Sequence, residues 1–301
     1  MNPISAPSET RVCRVIVDPA PSSGAWNMAV DETLLDSAVA GVGTVRWYRW
    51  EQATLSLGYF QSPAEALGDP KLRDLPIVRR LSGGGAVVHH HELTYSCALP
   101  VQHPLAAAPR RLYTAVHEQF IDVLAEFGFA AAMRGTNTPA RGHEYLCFGR
   151  MDDFDVVLGG HKVLGSAQRR RKGAVLQHGS LVLQRSEWAP AFPGLFECGG
   201  HSVPVPQLLE RLADAVPRLF GPLQEHCDIS ETERKNATRL AAENSGTANS
   251  GTENGRNHHS ENPHAEPDTE GCERHAQGWE QGGHSAILSG VTRGREGDPE
   301  P

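Results

Sequence analysis

The sequence predicts an α/β (α+β) protein with a mixed, largely antiparallel sheet flanked by helices. Three observations point that way. Segments of strand character outnumber helical ones, and few consecutive strands are separated by a helix that could serve as a parallel crossover. The apolar residues also concentrate before residue 243, which leaves one large body to fold.

Residues 11–17 read as a first strand. In 24–38, Trp26, Val30 and Leu34 recur every four residues and form one apolar helical stripe. Segments 44–50 and 54–59 are rich in aromatic and β-branched residues and read as strands. A short strand over 77–81 runs into Ser82-Gly83-Gly84-Gly85. Segments 86–89 and 93–99 are expected to form a further strand pair joined by a polar connection. The strongest helix is 110–127, where Leu112, Val116, Phe120, Val123, Leu124 and Phe127 keep the helical period and Gly128 stands at the C-terminal cap. Asp155 to Leu158, Gly159-Gly160 and Lys162 to Leu164 form a hairpin pattern. Segment 175–183 reads as one more strand and 207–219 as an amphipathic helix.

The chain has 301 residues, 39% of them hydrophobic, enough for a sizeable core. From Glu243 onward the only large aliphatics are Ile287, Leu288 and Val291, with Trp279 the single aromatic. Such a stretch cannot bury enough apolar surface to offset its conformational entropy. The expectation is a catalytic domain over 10–242 and a disordered, polar, acidic tail over 243–301. The tail carries −7 of the formal charge of −8, so the body stands at −1. No basic field points to nucleic acid, and anion binding in the body has to be local.

Cys13, Cys97, Cys147, Cys198, Cys227 and Cys272 have no paired short spacings, which argues against a disulfide framework or a zinc knuckle. The N-terminus lacks a signal-peptide profile, and no run of 18 apolar residues occurs. The expected setting is cytoplasmic, away from membranes. His258, His259, His264, His275, His284 and Cys272 are irregularly spaced, so solvated low-complexity chain is a better reading than a metal site.

Four segments could carry chemistry. In Arg79-Arg80-Leu81-Ser82-Gly83-Gly84-Gly85, three glycines let the backbone turn sharply and approach a ligand, and the arginines could neutralise a phosphate or carboxylate. The pattern is neither G-x-G-x-x-G nor a P-loop, and a loose hairpin with solvated arginines reads equally well. Lys162, followed by Gly165-Ser166-Ala167, could polarise a carbonyl where small residues leave room. His178-Gly179 lies in an apolar strand, where a histidine alone is most simply a hydrogen-bonded core group. Cys147 precedes Asp152-Asp153 in a loop, and a nucleophilic role requires access and an activated thiol.

The order of these pieces is more informative than any one of them. Arg79-Arg80-Leu81-Ser82-Gly83-Gly84-Gly85-Ala86-Val87-Val88-His89 comes first, followed by Glu92-Leu93-Thr94-Tyr95-Ser96. Then come Gly160-His161-Lys162-Val163-Leu164-Gly165-Ser166-Ala167-Gln168 and Leu176-Gln177-His178-Gly179-Ser180. This array resembles the lipoate-protein ligase and octanoyltransferase family, with the biotin/lipoate-protein-ligase-like fold. Asn27-Met28-Ala29-Val30-Asp31-Glu32 and Leu57-Gly58-Tyr59-Phe60-Gln61 resemble the family's N-terminal helix and the strand pair after it.

The resemblance implies an acyl tunnel, with Lys162 at the acyl carbonyl and Gly83, Gly84 and Gly85 lining the acyl site. It also implies that His89 and His178 shape that site. Cys147-Phe148 sits where the single-domain cysteine octanoyltransferases carry their nucleophile. The implied activity is therefore octanoyl (or lipoyl) transfer from acyl carrier protein, through a Cys147 thioester, to a lysine of a lipoyl-domain protein. Glycine cleavage H protein and dehydrogenase E2 subunits are such acceptors. That branch uses no cofactor. Gly85, where those transferases tend to carry arginine, and His90-His91, in place of an acidic residue, keep a ligase using ATP and Mg as the alternative. A non-catalytic acyl-binding paralogue is a further one, against which the retained Lys162 argues.

Overall fold

The computed structural model describes residues 13–136, 145–149, 151–224 and 227–247. In chain order the elements are β1 (Cys13–Val17), α1 (Gly24–Val39), β2 (Gly43–Tyr48), β3 (Thr54–Leu57), α2 (Ala64–Gly68), β4 (Ile77–Arg79), β5 (Val87–His89), β6 (Glu92–Leu99), α3 (Pro109–Glu126) and β7 (Ala132–Met133). There follow β8 (Val156–Leu158), β9 (His161–Arg171), β10 (Ala174–Val182), α4 (Leu195–Gly199), α5 (Val205–Ala215), β11 (Leu223–Gln224) and α6 (Glu231–Thr247). Eight strands form one sheet in the order β11-β1-β2-β6-β10-β9-β8-β7, parallel only where β1 meets β2 and β11. A second sheet, β4-β3-β5, carries the glycine segment at its end. The mixed, largely antiparallel α/β architecture expected from the sequence is the one found.

Each face of the large sheet has its own core. On one, Val45, Trp47, Tyr95 and Cys97 pack against Leu112, Val116, Phe120 and Leu124 of α3 and against Leu208 and Leu212 of α5. On the other, Ile16, Ala98 and Leu176 pack against Ala29, Val30, Leu34 and Ala38 of α1, joined by Ala237 of α6. A smaller core under the second sheet gathers Leu55, Leu57, Leu72 and Leu75, with Tyr145 and Leu146 packed on it.

The hairpins follow local chemistry. Gly159 (φ 59°) and Gly160 (φ 80°) turn β8 into β9, as their dipeptide predicts. A second two-residue turn, Lys172 (φ 48°) and Gly173 (φ 83°), joins β9 to β10, and a Cβ on Gly173 would come within 2.5 Å of the Val101 side chain. The polar run from Gln168 to Lys172 hid this extension of β9 from pattern reading.

Three expectations change. Segments 86–89 and 93–99 are not partners: β5 pairs with β3, while β6 lies between β2 and β10. The helix expected over 207–219 gives way to a 3-10 turn over Val216–Phe220, because Pro217 has no N–H to continue the helical bonds. Residues 243–247, assigned to the tail, close α6, whose amphipathic stripe is thin and whose burial comes from docking on α1. The rest of that tail, with Cys272 and the histidines, lies outside the described residues. The five described cysteines are free, and no described helix is long and apolar enough to cross a membrane.

Glu233 fastens α6 to the body, taking two bonds from the Arg14 guanidinium (2.9 and 2.7 Å), one from the Ser37 hydroxyl (2.6 Å) and one from the Ser230 N–H (2.8 Å). Glu233→Gln replaces an acceptor-only carboxylate by an amide that cannot accept them all. The expected outcome is a Tm lower by several degrees at pH 7, read by thermal denaturation, with the catalytic site unaffected.

Candidate active site

A cavity of about 290 Å³ opens between the two sheets, at the small end of ligand-pocket sizes. Its wall is largely apolar, with Met28, Val87 and Phe148, and it gathers most of the chemistry-bearing segments. Arg80, Gly83, Gly84, His89, Cys147, Lys162, Gly165, Ser166, Ala167, His178 and Gly179 all reach it. Arg79, Ser82 and Gly85 support it from outside the lining.

Lys162 follows the β8–β9 turn and is buried, with its ammonium 3.0 Å from Asp155 Oδ2 and 4.0 Å from Cys147 Sγ. The Phe148 ring lies 5.2 Å from the same nitrogen. Burial pushes the Asp155 carboxyl up from its ordinary range, with the Lys162 charge opposing it. Asp155 also accepts the Asp152 N–H at 2.7 Å, which fixes it in the turn. The folded side chain of Lys162 requires a glycine three residues on: a Cβ at Gly165 would sit 2.3 Å from Lys162 Cε.

Cys147 is placed by the glycine segment. Its N–H donates to the Ala86 carbonyl at 2.6 Å, and the Ala86 N–H donates to Tyr145 O at 3.0 Å, so Ala86 and Leu146 form a bridge. A Cβ on Gly85 would lie 2.9 Å from Tyr145 O and 3.1 Å from Cys147 N. The third glycine is thus required by the close approach of the cysteine segment, a reason unrelated to nucleotide binding. Gly84 (φ 95°) makes the turn itself, and Gly58 packs so tightly on it that a Cβ there would meet Gly84 O at 2.1 Å.

The arginines serve the backbone rather than a free anion. The Arg80 guanidinium is buried and donates to the carbonyls of Gly83 (2.8 Å), Gly85 (2.6 Å) and Ser56 (2.9 Å). Arg79 donates to the carbonyls of Gly58 (3.0 Å), Tyr59 (3.0 Å) and Gln61 (2.7 Å). Five N–H donors in a planar fork suit this bracing of a turn.

Two buried polar chains stiffen the cavity. On the α1 side, His178 Nδ1 donates to Asp31 Oδ2 (3.2 Å), and its Nε2 faces the Ser82 hydroxyl (2.5 Å). Asp31 also accepts from Arg46 (3.2 Å), Tyr48 (2.9 Å) and Ser96 (2.8 Å). Burial alone would raise the Asp31 carboxyl, but His178 and Arg46 outweigh it and hold it below its ordinary range. Next to it, His89 donates to Glu92 (2.7 Å) and stacks on Trp50 at 3.9 Å, while Thr94 and Ser180 donate to the same Glu92 oxygen. Burial pushes Glu92 up, and His89 with these donors brings it below the usual carboxylate range.

On the α3 side, His117 Nδ1 donates to Phe154 O (2.5 Å), which leaves Nε2 to accept the Ser166 hydroxyl (2.7 Å). Ser166 accepts in turn from Tyr95 (2.8 Å), and Tyr95 from Gln177 (2.7 Å), whose carbonyl takes the Gln168 amide (2.7 Å). Gly179 makes room for this crossing, since a Cβ there would lie 2.2 Å from Ser166 Oγ. His117, Asp155, Asp31 and Glu92 were not singled out as site residues from the sequence. Asp31 and Glu92 lay inside the quoted motifs, whereas His117 is one residue of an ordinary amphipathic helix.

The structure brings a thiol and a buried lysine together in the wall of a largely apolar cavity framed by a glycine turn, and sequence comparison identifies the family. Residues 23–187 match the lipoyl protein ligase A/B catalytic domain. The chain belongs to that family. Among curated relatives, octanoyltransferase LipM of Brevibacillus brevis is 38% identical over 172 residues, covering 54% of this chain and 62% of the relative. LipM of Kyrpidia tusciae is 31% identical over 252 residues, covering 73% of this chain and 92% of the relative. Against the Brevibacillus protein, then, the chain matches somewhat under two thirds of the relative's length.

Solved lipoate-ligase structures share the fold. A T. acidophilum protein described with bound lipoic acid superimposes with a TM-score of 0.62 at 20% identity, covering 77% of this chain and 95% of its own. A lipoate-protein ligase A bound with ATP gives 0.60 at 21% identity, covering 77% and 94%.

Two outcomes test the geometry. Gly85→Ala forces the segment 145–147 aside and is expected to lower stability by about 1–3 kcal/mol and change the rate of Cys147 alkylation. Burial holds His117 down at about 4, so the native state binds its proton later than the unfolded chain does. Its neutral form therefore contributes stability that is full above the unfolded value near ~6.5 and lost as pH falls towards 4. By pH 5 the wild type should lose about 2 kcal/mol relative to pH 7 from this group, and His117→Gln should flatten that part of the denaturation profile.

Proposed function

We propose that the chain is an octanoyltransferase of protein lipoylation, moving an octanoyl group from acyl carrier protein to a lysine of a lipoyl-domain protein. Glycine cleavage H protein and dehydrogenase E2 subunits are acceptors of this kind. The observation that carries the reading is Cys147 Sγ lying 4.0 Å from Lys162 Nζ at an apolar cavity. The naming of the curated relatives as octanoyltransferases supports it.

In this reading Cys147 is the nucleophile and Lys162 its electrostatic partner. The ammonium, held by Asp155, stands where it can stabilise the oxyanion, and Gly83 and Gly84 line the same space. The thiolate adds to the donor thioester carbonyl. The tetrahedral intermediate then expels the carrier's thiolate, which leaves as the thiol after taking a proton. The acceptor amine adds to the Cys147 thioester, the C–S bond breaks with its electron pair on sulfur, and the amine's proton restores the thiol. The product is an amide. Met28, Val87 and Phe148 line the space for the alkyl chain, with Ala167, Gly165 and Gly179 keeping it open and His89 and His178 bounding it. No step needs a cofactor.

Of the two departures that favour an ATP-dependent ligase, Gly85 and His90-His91, the packing of Cys147 accounts for the glycine without a nucleotide. Intact-mass analysis after incubation with octanoyl-acyl carrier protein is expected to show one octanoyl adduct on the wild type and none on Cys147→Ala. Lys162→Ala should acylate about a hundredfold or more slowly while binding donor normally. A wild type that stays unmodified but consumes ATP with lipoate would overturn the proposal.

A further inference from the structure

The most exposed large hydrophobic side chain among the described residues lies beside the site. Phe60 is 88% exposed and meets Tyr59, itself 41% exposed, edge to face at 4.9 Å. Their turn is rigidly built: the Arg79 guanidinium ties down three of its carbonyls, and the Gly58 N–H donates to the Gln61 side chain at 2.9 Å. It is also coupled directly to the cavity wall. The Tyr59 N–H donates to Ser82 O at 2.9 Å, and Gly58 sits against Gly84. From the other side Arg169 of β9, next to the cavity residue Gln168, places its guanidinium 4.9 Å over the Tyr59 ring. Its Nε is buried without a hydrogen-bond partner, and among the described residues neither Arg169 nor Arg79 pairs with a carboxylate. An exposed aromatic anchor on a preorganised turn, ringed by unneutralised arginines, has the composition of a protein-binding hot spot.

We propose that the Tyr59–Phe60 turn, with Arg79 and Arg169, is the docking face for the acyl donor, an acidic carrier protein whose thioester hangs on a phosphate-linked arm. The inference rests on the transferase reading above and adds where the donor binds. Charge selects the donor over the acceptor. The folded body is nearly neutral overall, and Arg79, whose donors brace the turn, and Arg169 bring to this rim two positive charges with no carboxylate partner among the described residues. They attract an acidic surface and the phosphate of its arm, whereas the acceptor arrives with a lysine ammonium that the same field repels. The contacts from Gly58 to Gly84 mean that a carrier seated here rests on the wall of the acyl site.

The test compares two octanoyl donors in acylation of Cys147 by the full chain: octanoyl-acyl carrier protein, and octanoyl-N-acetylcysteamine, which has neither carrier nor phosphate. Phe60→Ala and Arg169→Glu are expected to lower kcat/KM for the carrier donor about tenfold or more each, and to leave the small donor within about twofold. The wild-type KM for the carrier donor should rise with salt, and Arg169→Glu should lose that dependence. Equal loss on both donors, or no loss on the carrier donor, overturns the proposal. So does a defect confined to transfer from pre-acylated enzyme to the acceptor protein, which would assign the face to the acceptor. Failure of the wild type to take octanoyl from either donor strikes the transferase reading itself, a separate result.

Discussion

The buried carboxylate of Asp31 is the constraint on which much of the molecule turns. It is 2% exposed and takes hydrogen bonds from Arg46 on β2, Ser96 on β6 and His178 on β10, with Tyr48 closing the set. One side chain of α1 thereby fixes the helix over three central strands. Burying an ion costs several kcal/mol, and only a full set of donors offsets it. Arg46 bears the matching burden, being fully buried and shared between Asp31, Asp18 and the Asn27 side chain. Such a cluster adds little net stability over an apolar one, but it tolerates one arrangement of its parts. It then passes that arrangement outward: His178, oriented by Asp31, meets Ser82, the residue that opens the glycine turn.

The fold was legible because its strands and its two main helices carry strong patterns, and because glycine pairs mark the β8–β9 turn. What pattern reading missed has definite physical causes. Beyond Leu164, β9 is no longer paired with β8: Gly165 to Gln168 line the cavity, and the arginines that follow are partly or fully exposed. Partnering of β5 and β6 depended on which sheet each joins, a long-range choice that a short polar connection does not encode. α6 has almost no apolar stripe and owes its place to Glu233 and Ala237 against α1.

The candidate site divides in the same way. Lys162, Gly83, Gly84, His89 and His178 could be named from motif order, and Cys147 from the resemblance to the single-domain cysteine octanoyltransferases. The arginines could be named but not understood: two adjacent cations beside glycines suggest an anion site, while their donors in fact brace carbonyls of the turn. Asp155 and His117 were beyond reach for another reason. A carboxylate at a strand start and a histidine in an amphipathic helix are commonplace until tertiary packing brings them to Lys162 and Ser166.

The glycines show how tightly the site is built. Gly165 gives way to the Lys162 side chain, Gly179 to Ser166, Gly85 to the backbone of Cys147, and Gly58 to the carbonyl of Gly84. Only Gly84 among these needs its positive φ; the others are glycine because another group occupies the place of a side chain. The consequence reaches from chemistry to recognition. Lysine, thiol and glycine turn are locked to one another at van der Waals distance, and the turn bearing Phe60 is locked to the same glycines. A partner that seats on that outer turn meets a surface continuous with the acyl wall, so binding and alignment of the reacting carbonyl would be a single event with no hinge or lid between them.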